Sequence, residues 1–422
     1  MRSAMLSLII LAVVFSSAPL RADEAPHARA YLDQLQTRLD LIQADMPTIT
    51  QAAEAAATSL IDGRGFGVRG DRGLANELSN RAGAMMGYDG RPGDKGDVML
   101  CVFGVDRPGA WGLASITLSQ IEGARQLKTD GSLVIGLGST SQLQAMGLLD
   151  KAKDVCDVWL DNRAQPHNNQ VHAPMQTVLN AAVAWTFQCE LFAAMTRLDK
   201  VPIVRQSPEI DTRHKRWKYY GSQRFHHDRW LDPIPPAKLG NAYLDDLNKI
   251  LTDIGTASWT PLAKTANKAH AVYKDTGSYV WLRPGGRYLP HHVGGWLPND
   301  PGLFKLLTHD GSDPKLDAPN QHDLVIAVGR SETAGSYEWG EPELLRKAGH
   351  GVAWVVNGYN TQPSDLLRGE ALIDLWGPVG DCIVKIENYD THLGPASSIT
   401  SEAVLWMIAA EVSGRQEKQD KD

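Results

Sequence analysis

YLDQLQTRLDLI, Tyr31 to Ile42, returns later in the chain as YLDDLNKILTDI, Tyr243 to Ile254. At an offset of 212, Tyr31, Leu32, Asp33, Leu35, Leu39 and Ile42 meet Tyr243, Leu244, Asp245, Leu247, Leu251 and Ile254. The apolar members fall at helical spacing, so both stretches predict an amphipathic helix that buries the same face. The correspondence continues in order. GFGVRG (Gly65 to Gly70) answers SYVWLRPGG (Ser278 to Gly286), and DVMLCVFG (Asp97 to Gly104) answers DLVIAVGR (Asp323 to Arg330). GSLVIGLG (Gly131 to Gly138) answers GVAWVVNG (Gly351 to Gly358), and CDVWLDN (Cys156 to Asn162) answers ALIDLWG (Ala371 to Gly377). APMQTVLNAAVAWTFQCELFA (Ala173 to Ala193) answers GPASSITSEAVLWMIAAEVSG (Gly394 to Gly414). A matched order of this length reads as a duplicated domain.

Each copy alternates apolar strand runs with helical segments. The strands are apolar throughout, as a parallel sheet covered on both faces requires. The fold class expected is therefore α/β, two tandem doubly wound parallel-sheet sandwich domains. The expected boundaries are a signal peptide over 1–22, a first domain over 23–232, a linker over 233–240 beginning with PIPP, a second domain over 241–414 and a disordered charged tail over 415–422. Lys200 to Asp228 is an extra closing piece of the first copy.

The 422 residues carry a net charge of −7, which argues against general nucleic-acid binding. The N-terminus has the pattern of a secretory signal. Arg2 forms the positive region, Leu6 to Phe15 the apolar core, and Leu20-Arg21-Ala22 a cleavage site. Export to the periplasm or exterior is expected, with an uncleaved anchor as the alternative. No second apolar run approaches membrane-spanning length, so no span is expected after cleavage. Cys101, Cys156, Cys189 and Cys382 are too few for a disulfide scaffold. Buried free thiols are expected, one disulfide being the alternative in an oxidising compartment.

With these pieces in place, the chain resembles a tandem of sugar isomerase (SIS) domains. It is most similar to the branch with a long amphipathic first helix, in which a G-x-G-x-S loop precedes a helix ending in RAG. ELSNRAG, Glu77 to Gly83, matches that helix. GPVGDCIVKIE (Gly377 to Glu387) followed by GPASSIT (Gly394 to Thr400) resembles the family's late strand and Ser-Thr helix start. The resemblance implies five-stranded parallel sheets that bind phosphosugars at their carboxyl ends. It also implies face-to-face pairing, here an intramolecular pseudo-dimer, with homo-oligomers open. The expected partner is an anionic sugar or sugar phosphate. No cofactor and no metal are expected.

Candidate residues follow. In the first loop, GDRG at Gly70 to Gly73, backbone amides around Gly70 with Arg69 and Arg72 would hold an anion; a tight glycine turn with solvated arginines is the plain alternative. In the loop GRSETAG, Gly329 to Gly335, Ser331 and Thr333 fit the family's phosphate loop and Arg330 adds charge. The first copy has GVDRPGAWG there, with no hydroxyl. At the late helix start stand Ser397, Ser398 and Thr400, and Gln176 and Thr177 in the first copy, where ligand contact and helix capping coexist. Proton transfer between adjacent carbons needs a base. Glu77 and Glu402 are the catalytic candidates; Glu77 could equally pair with Arg81 one turn on. His172 and His291-His292 are further histidines near the loops. The latter pair and His226-His227-Asp228 lack the helical i, i+4 spacing of a zinc site. Trp281, Trp296, Trp339 and Trp354 could stack on sugars, though core packing is their commoner role. The functional expectation is binding, with isomerisation left open, of a phosphosugar or other anionic carbohydrate derivative; the alternative is a non-catalytic or vestigial scaffold or interaction protein.

Overall fold

The computed structural model describes residues 25–87, 96–104, 113–166, 173–207, 210–211, 215–275, 278–283, 304–306, 322–329, 351–357, 371–378 and 380–419. The first copy runs α1 (Pro26–Ala44), α2 (Met46–Ile61), β1 (Phe66–Arg69), α3 (Arg72–Asn80), β2 (Val98–Val102), α4 (Leu113–Thr129) and β3 (Leu133–Gly138). It continues with α5 (Thr140–Ala145), α6 (Leu149–Asp154), β4 (Val158–Asp161), α7 (Gln176–Thr196) and α8 (Lys215–Tyr220). The second runs α9 (Lys238–Thr256), α10 (Trp259–Lys274), β5 (Val280–Arg283), β6 (Phe304–Leu306), β7 (Leu324–Val328), β8 (Gly351–Val356) and β9 (Ala371–Asp374). It ends with β10 (Cys382–Val384), β11 (Leu393–Pro395) and α11 (Ser397–Gln419).

Both sheets are parallel, in the order β1-β2-β3-β4 and β6-β5-β7-β8-β9. The α/β reading with parallel sheets holds. Every residue of β2 and β7 is buried, which is why their sequences are apolar without alternation. The second sheet's order is that of a doubly wound sheet whose chain reverses direction between β5 and β7, the place where such sheets open a crevice at their carboxyl ends. DCIVKI is not a sixth strand of that sheet. Its β10 pairs antiparallel with β11 in a separate ribbon.

The helical stripe works as expected. Tyr31, Leu32, Leu35, Leu39 and Ile42 of α1 are buried, and so are Tyr243, Leu244, Leu247, Leu251 and Ile254 of α9. What they bury against is the other copy. α1 packs on α11 and α9 packs on α7, so the two first helices are exchanged. The ends are fastened alike. Glu411 of α11 accepts hydrogen bonds from the N–H groups of His27 (2.8 Å) and Ala28 (3.1 Å) at the start of α1. Glu190 of α7 accepts from Ala237 and Gly240, both at 2.8 Å, at the start of α9. A carboxylate at a helix N-terminus meets both free N–H groups and the positive end of the dipole. These glutamates are fully buried, so each clamp works in a low dielectric. α7, the helix between the layers, is buried along its whole length; it is apolar and long enough to cross a membrane, yet protein covers all of it.

Two boundary expectations need correction. α9 begins at Lys238, inside the span assigned to the linker, because Glu190 caps it there. α11 continues to Gln419 rather than ending at Gly414; Arg415 pairs with Glu411 one turn earlier and keeps the helix turning. All four cysteines are buried free thiols. The proposed signal peptide, Arg330, Ser331, Thr333, His172, His291, His292, Trp296 and Trp339 lie outside the described residues.

Candidate functional site

In the first copy the glycine loop is tightened onto its own sheet. Gly70 has φ of +98°, and a Cβ there would lie 2.1 Å from the carbonyl oxygen of Val102, so only glycine fits. Gln120 bridges this turn to the end of β2: it donates to the Gly70 carbonyl (3.3 Å) and accepts from the Gly104 N–H (3.1 Å). The start of α3 is occupied by a side chain of the loop itself. Asp71 accepts from the N–H of Leu74 at 3.0 Å, standing where a bound anion would be. Arg69 is exposed, and its guanidinium lies against Gly123 of α4. Arg72 is exposed at the first turn of α3.

α3 instead turns its inner face to the second copy, and there several sequence-assigned residues meet. Ser398 donates to Glu77 at 3.0 Å. Arg81, one turn after Glu77, is 3.5 Å from its carboxylate, pairs with Asp381 and donates to Ser397 at 2.9 Å. Asp381 in turn accepts from the N–H of Ser397 at 2.8 Å and so caps α11. A matching contact lies across α7 and α11, where Thr177 donates to Glu402, which also accepts from Trp406 at 3.2 Å. Glu77, Glu402, Ser397 and Ser398 are all fully buried. Structure thus joins Glu77 with Ser397 and Ser398, and Glu402 with Thr177. It does not bring Arg69 or Arg72 to either group.

The tyrosines of the repeated motif lean on these clusters. Tyr31 donates to the carbonyl of Pro174 and Tyr243 to that of Pro395, each at 3.0 Å. Burial first, and the Glu402 carboxylate second, hold the Tyr31 hydroxyl well above its ordinary value. Burial, with Cys189, Glu77 and Asp381 nearby, does the same for Tyr243. Both phenols therefore stay protonated donors. A buried ensemble of carboxylate, guanidinium and hydroxyls can hold the halves in register; it can do proton transfer only where a substrate reaches it.

The carboxyl ends of the strands carry the clearest difference between copies. Counting along the paired registers from Leu133 and Gly351, Ser139 and Asn357 occupy the same position. The turns after the next strand match too: Asp161 accepts from Arg163 N–H (3.0 Å) and Asp374 from Trp376 N–H (2.8 Å), with φ of 61° and 54° at Arg163 and Trp376. Ser139 is satisfied. It donates to the Ala164 carbonyl at 2.6 Å and accepts from Gln142 N–H at 3.1 Å, capping α5. Asn357 is 1% exposed, and among the described residues neither its amide nitrogen nor its oxygen has a hydrogen-bond partner. It lies against Gly377, where a Cβ would stand 2.9 Å from the Asn357 oxygen. Sequence reading passed over Asn357. The available signal was a polar residue closing the apolar run VAWVV. Asp381 was likewise missed; GD before CIV gave no hint of a partner on α3.

No protein-family model matches the sequence, and no curated protein matches it. Solved structures similar to the chain include a candidate phosphosugar isomerase from Silicibacter pomeroyi DSS-3, with a TM-score of 0.42 at 9% identity over 93% of this chain and 98% of that one. A candidate sugar-binding protein from Salmonella typhimurium LT2 has a TM-score of 0.47 at 10% identity, covering 90% of this chain and 98% of its own. The C-terminal domain of glucosamine-fructose-6-phosphate aminotransferase from Francisella tularensis has a TM-score of 0.43 at 8% identity, covering 89% and 94% respectively.

Proposed function

We propose that the chain binds an anionic carbohydrate derivative, of the sugar-phosphate type, at the strand ends of its second copy, close to the junction of the two halves. One observation carries this reading: the buried amide of Asn357 at the carboxyl end of β8, which has no hydrogen-bond partner among the described residues. An amide withdrawn from water without a hydrogen bond is destabilising by about 1–3 kcal/mol, and a site where a ligand supplies the missing partners explains why it is kept. The resemblance to SIS domains supplies the ligand class, and Ser331, Thr333 and Arg330 supply the anion contacts in the loop after β7. Gly70 and Arg69 in the first copy are the weaker half of the proposal, since Asp71 already caps α3.

Turnover is a separate reading. The resemblance assigns Glu77 the role of base, with Glu402 as a second carboxylate. A specific observation favours binding without turnover: both are fully buried and hydrogen-bonded to hydroxyls of the opposite copy. The same proposal has the chain exported after loss of residues 1–22, which N-terminal sequencing of the mature protein checks.

The test is a thermal-shift and calorimetric screen of the chain from Asp23 onward against hexose phosphates, amino-sugar acids and neutral sugars. A ligand at a hundred times its Kd adds about 2.7 kcal/mol of stability. A shift with an anionic sugar that Ser331→Ala and Asn357→Leu both remove supports the reading. A shift untouched by either, or none with any anionic sugar, leaves the scaffold alternative. Incubation with the ligand found, followed by NMR of the sugar, separates binder from isomerase.

A further inference from the structure

A second candidate site lies away from both junction clusters. The segment joining the copies and the loop after β10 enclose a groove of about 450 Å³, within the usual range for small-molecule sites. Its floor is apolar, with Ile234 and Ile386 buried. Its rim holds Trp230, which is 80% exposed, the most exposed of the large hydrophobic side chains described. Lys238 and Asp232 come from the linker side, Lys385 and Glu387 from the opposite wall, and all four are exposed. None of these four side chains makes a hydrogen bond or ion pair with the described residues.

Both walls are held firmly. Arg197 donates to the Ile234 carbonyl at 2.8 Å, and Ile234 N–H donates to Thr196 at 3.0 Å, fixing the linker on the end of α7. Pro233, Pro235 and Pro236 restrict the same segment further. In the opposite wall Tyr389 donates to the Pro202 carbonyl at 2.8 Å and accepts from Arg216 at 2.9 Å. The groove is therefore preformed, and a ligand entering it meets little ordering cost.

The geometry points to a binding site for a neutral saccharide chain in this groove, with Trp230 as the stacking platform. An indole face left in water is a large apolar surface suited to the flat C–H face of a pyranose. The polar groups fit hydroxyls better than ions. Two ammonium groups and two carboxylates balance, so a charged ligand gains no net attraction, whereas a sugar hydroxyl both donates to a carboxylate and accepts from an ammonium. This assignment uses none of the residues proposed for the anionic sugar, so either can fail alone.

The experiment is isothermal titration calorimetry of the full mature chain with three probes: the hexasaccharides of α-1,4-linked glucose, β-1,4-linked glucose and β-1,4-linked N-acetylglucosamine. Binding of at least one is expected. Trp230→Ala should weaken it about tenfold or more, the loss expected for one stacked aromatic face. Lys385→Ala should weaken it less, and Tyr219→Ala, an exposed aromatic outside the groove, should leave it unchanged. Trp230 is exposed enough that its replacement does not threaten folding, which thermal melting of the variant checks. No heat with any of the three probes, or binding that Trp230→Ala leaves intact, overturns the assignment. So does a sedimentation shift from dimer to monomer in Trp230→Ala, which would give the groove to a second copy of the chain.

Discussion

Ser139 and Asn357 stand on the same rung of the two sheets, yet their surroundings differ. Ser139 is short, reaches the Ala164 carbonyl and caps the helix that follows it. Asn357 is longer, and Gly377, in the turn after the neighbouring strand β9, makes the room that Ala164 fills in the first copy. Its amide is buried and, among the described residues, unpaired. In the first copy Asp71 and Gln120 also close the loop over β1 and β2 with hydrogen bonds of their own. At this one rung the first copy's serine is spent on internal bonds, and the second copy's asparagine finds none among the described residues.

The comparison breaks most severely at what the halves share. Arg81 pairs with both Glu77 and Asp381 in the junction cluster. Arg81→Ala should lower stability by about 3–5 kcal/mol, because two buried carboxylates lose their counter-charge. Denaturant titration measures it; a loss under 1 kcal/mol would mean that water enters the junction and that the cluster is not dry. Next in size are the two clamps. Glu190→Ala and Glu411→Ala should each cost about 2–3 kcal/mol by removing a buried acceptor from free N–H groups. Similar losses confirm that the copies are fastened symmetrically, and one silent variant would show that one exchanged helix is held by packing alone.

The direct test of the pair is smaller and has opposite signs. Ser139→Ala should destabilise by about 1 kcal/mol through loss of the cap. Asn357→Leu should be neutral or stabilising without ligand, since it removes an unsatisfied buried amide. A destabilised Asn357→Leu would reveal a partner for the amide and remove the main support for a site in the second copy.

The smallest effect is one of pH. His226 sits between the Tyr220 and Tyr389 rings, with Arg216, Arg229 and Asp228 around it. Burial lowers its proton affinity below the ordinary 6.5; Asp228 opposes this, and the two arginines reinforce it. The folded chain therefore prefers the neutral ring. That contribution is whole above pH 6.5 and shrinks as pH falls from there toward the lowered folded value. Unfolding titrations at pH 7.5 and 5.5 should show a drop that His226→Gln reduces. An equal drop in the variant assigns the sensitivity to other groups.

Much of the fold was legible because it repeats. A pattern seen twice, such as Tyr31-Leu32-Asp33 and Tyr243-Leu244-Asp245, reports a buried face more securely than one seen once, and unbroken apolar runs such as VMLCV can be buried on both faces only in a covered sheet. Part of the candidate site was legible as residue types: Glu77, Ser397 and Ser398 were singled out before their meeting was visible. Their partners were not. Asp381 is 300 residues from Arg81, and nothing local in GDC marks it as the acid of a junction.

What the sequence by itself determined is the periodic content: two copies, their strands and helices, and the amphipathic stripe on each first helix. These follow from local propensity and from which face must leave water, and both are written in short windows. Only the tertiary structure decided where the stripes go. α1 and α9 each find their cover in the other copy, and Glu190 and Glu411 reach across to hold them. Whether a polar side chain ends as a cap, an ion-pair partner or an unpaired amide depends on atoms hundreds of residues distant. Ser139 and Asn357 carry the same kind of sequence signal, and only their neighbours in space tell them apart.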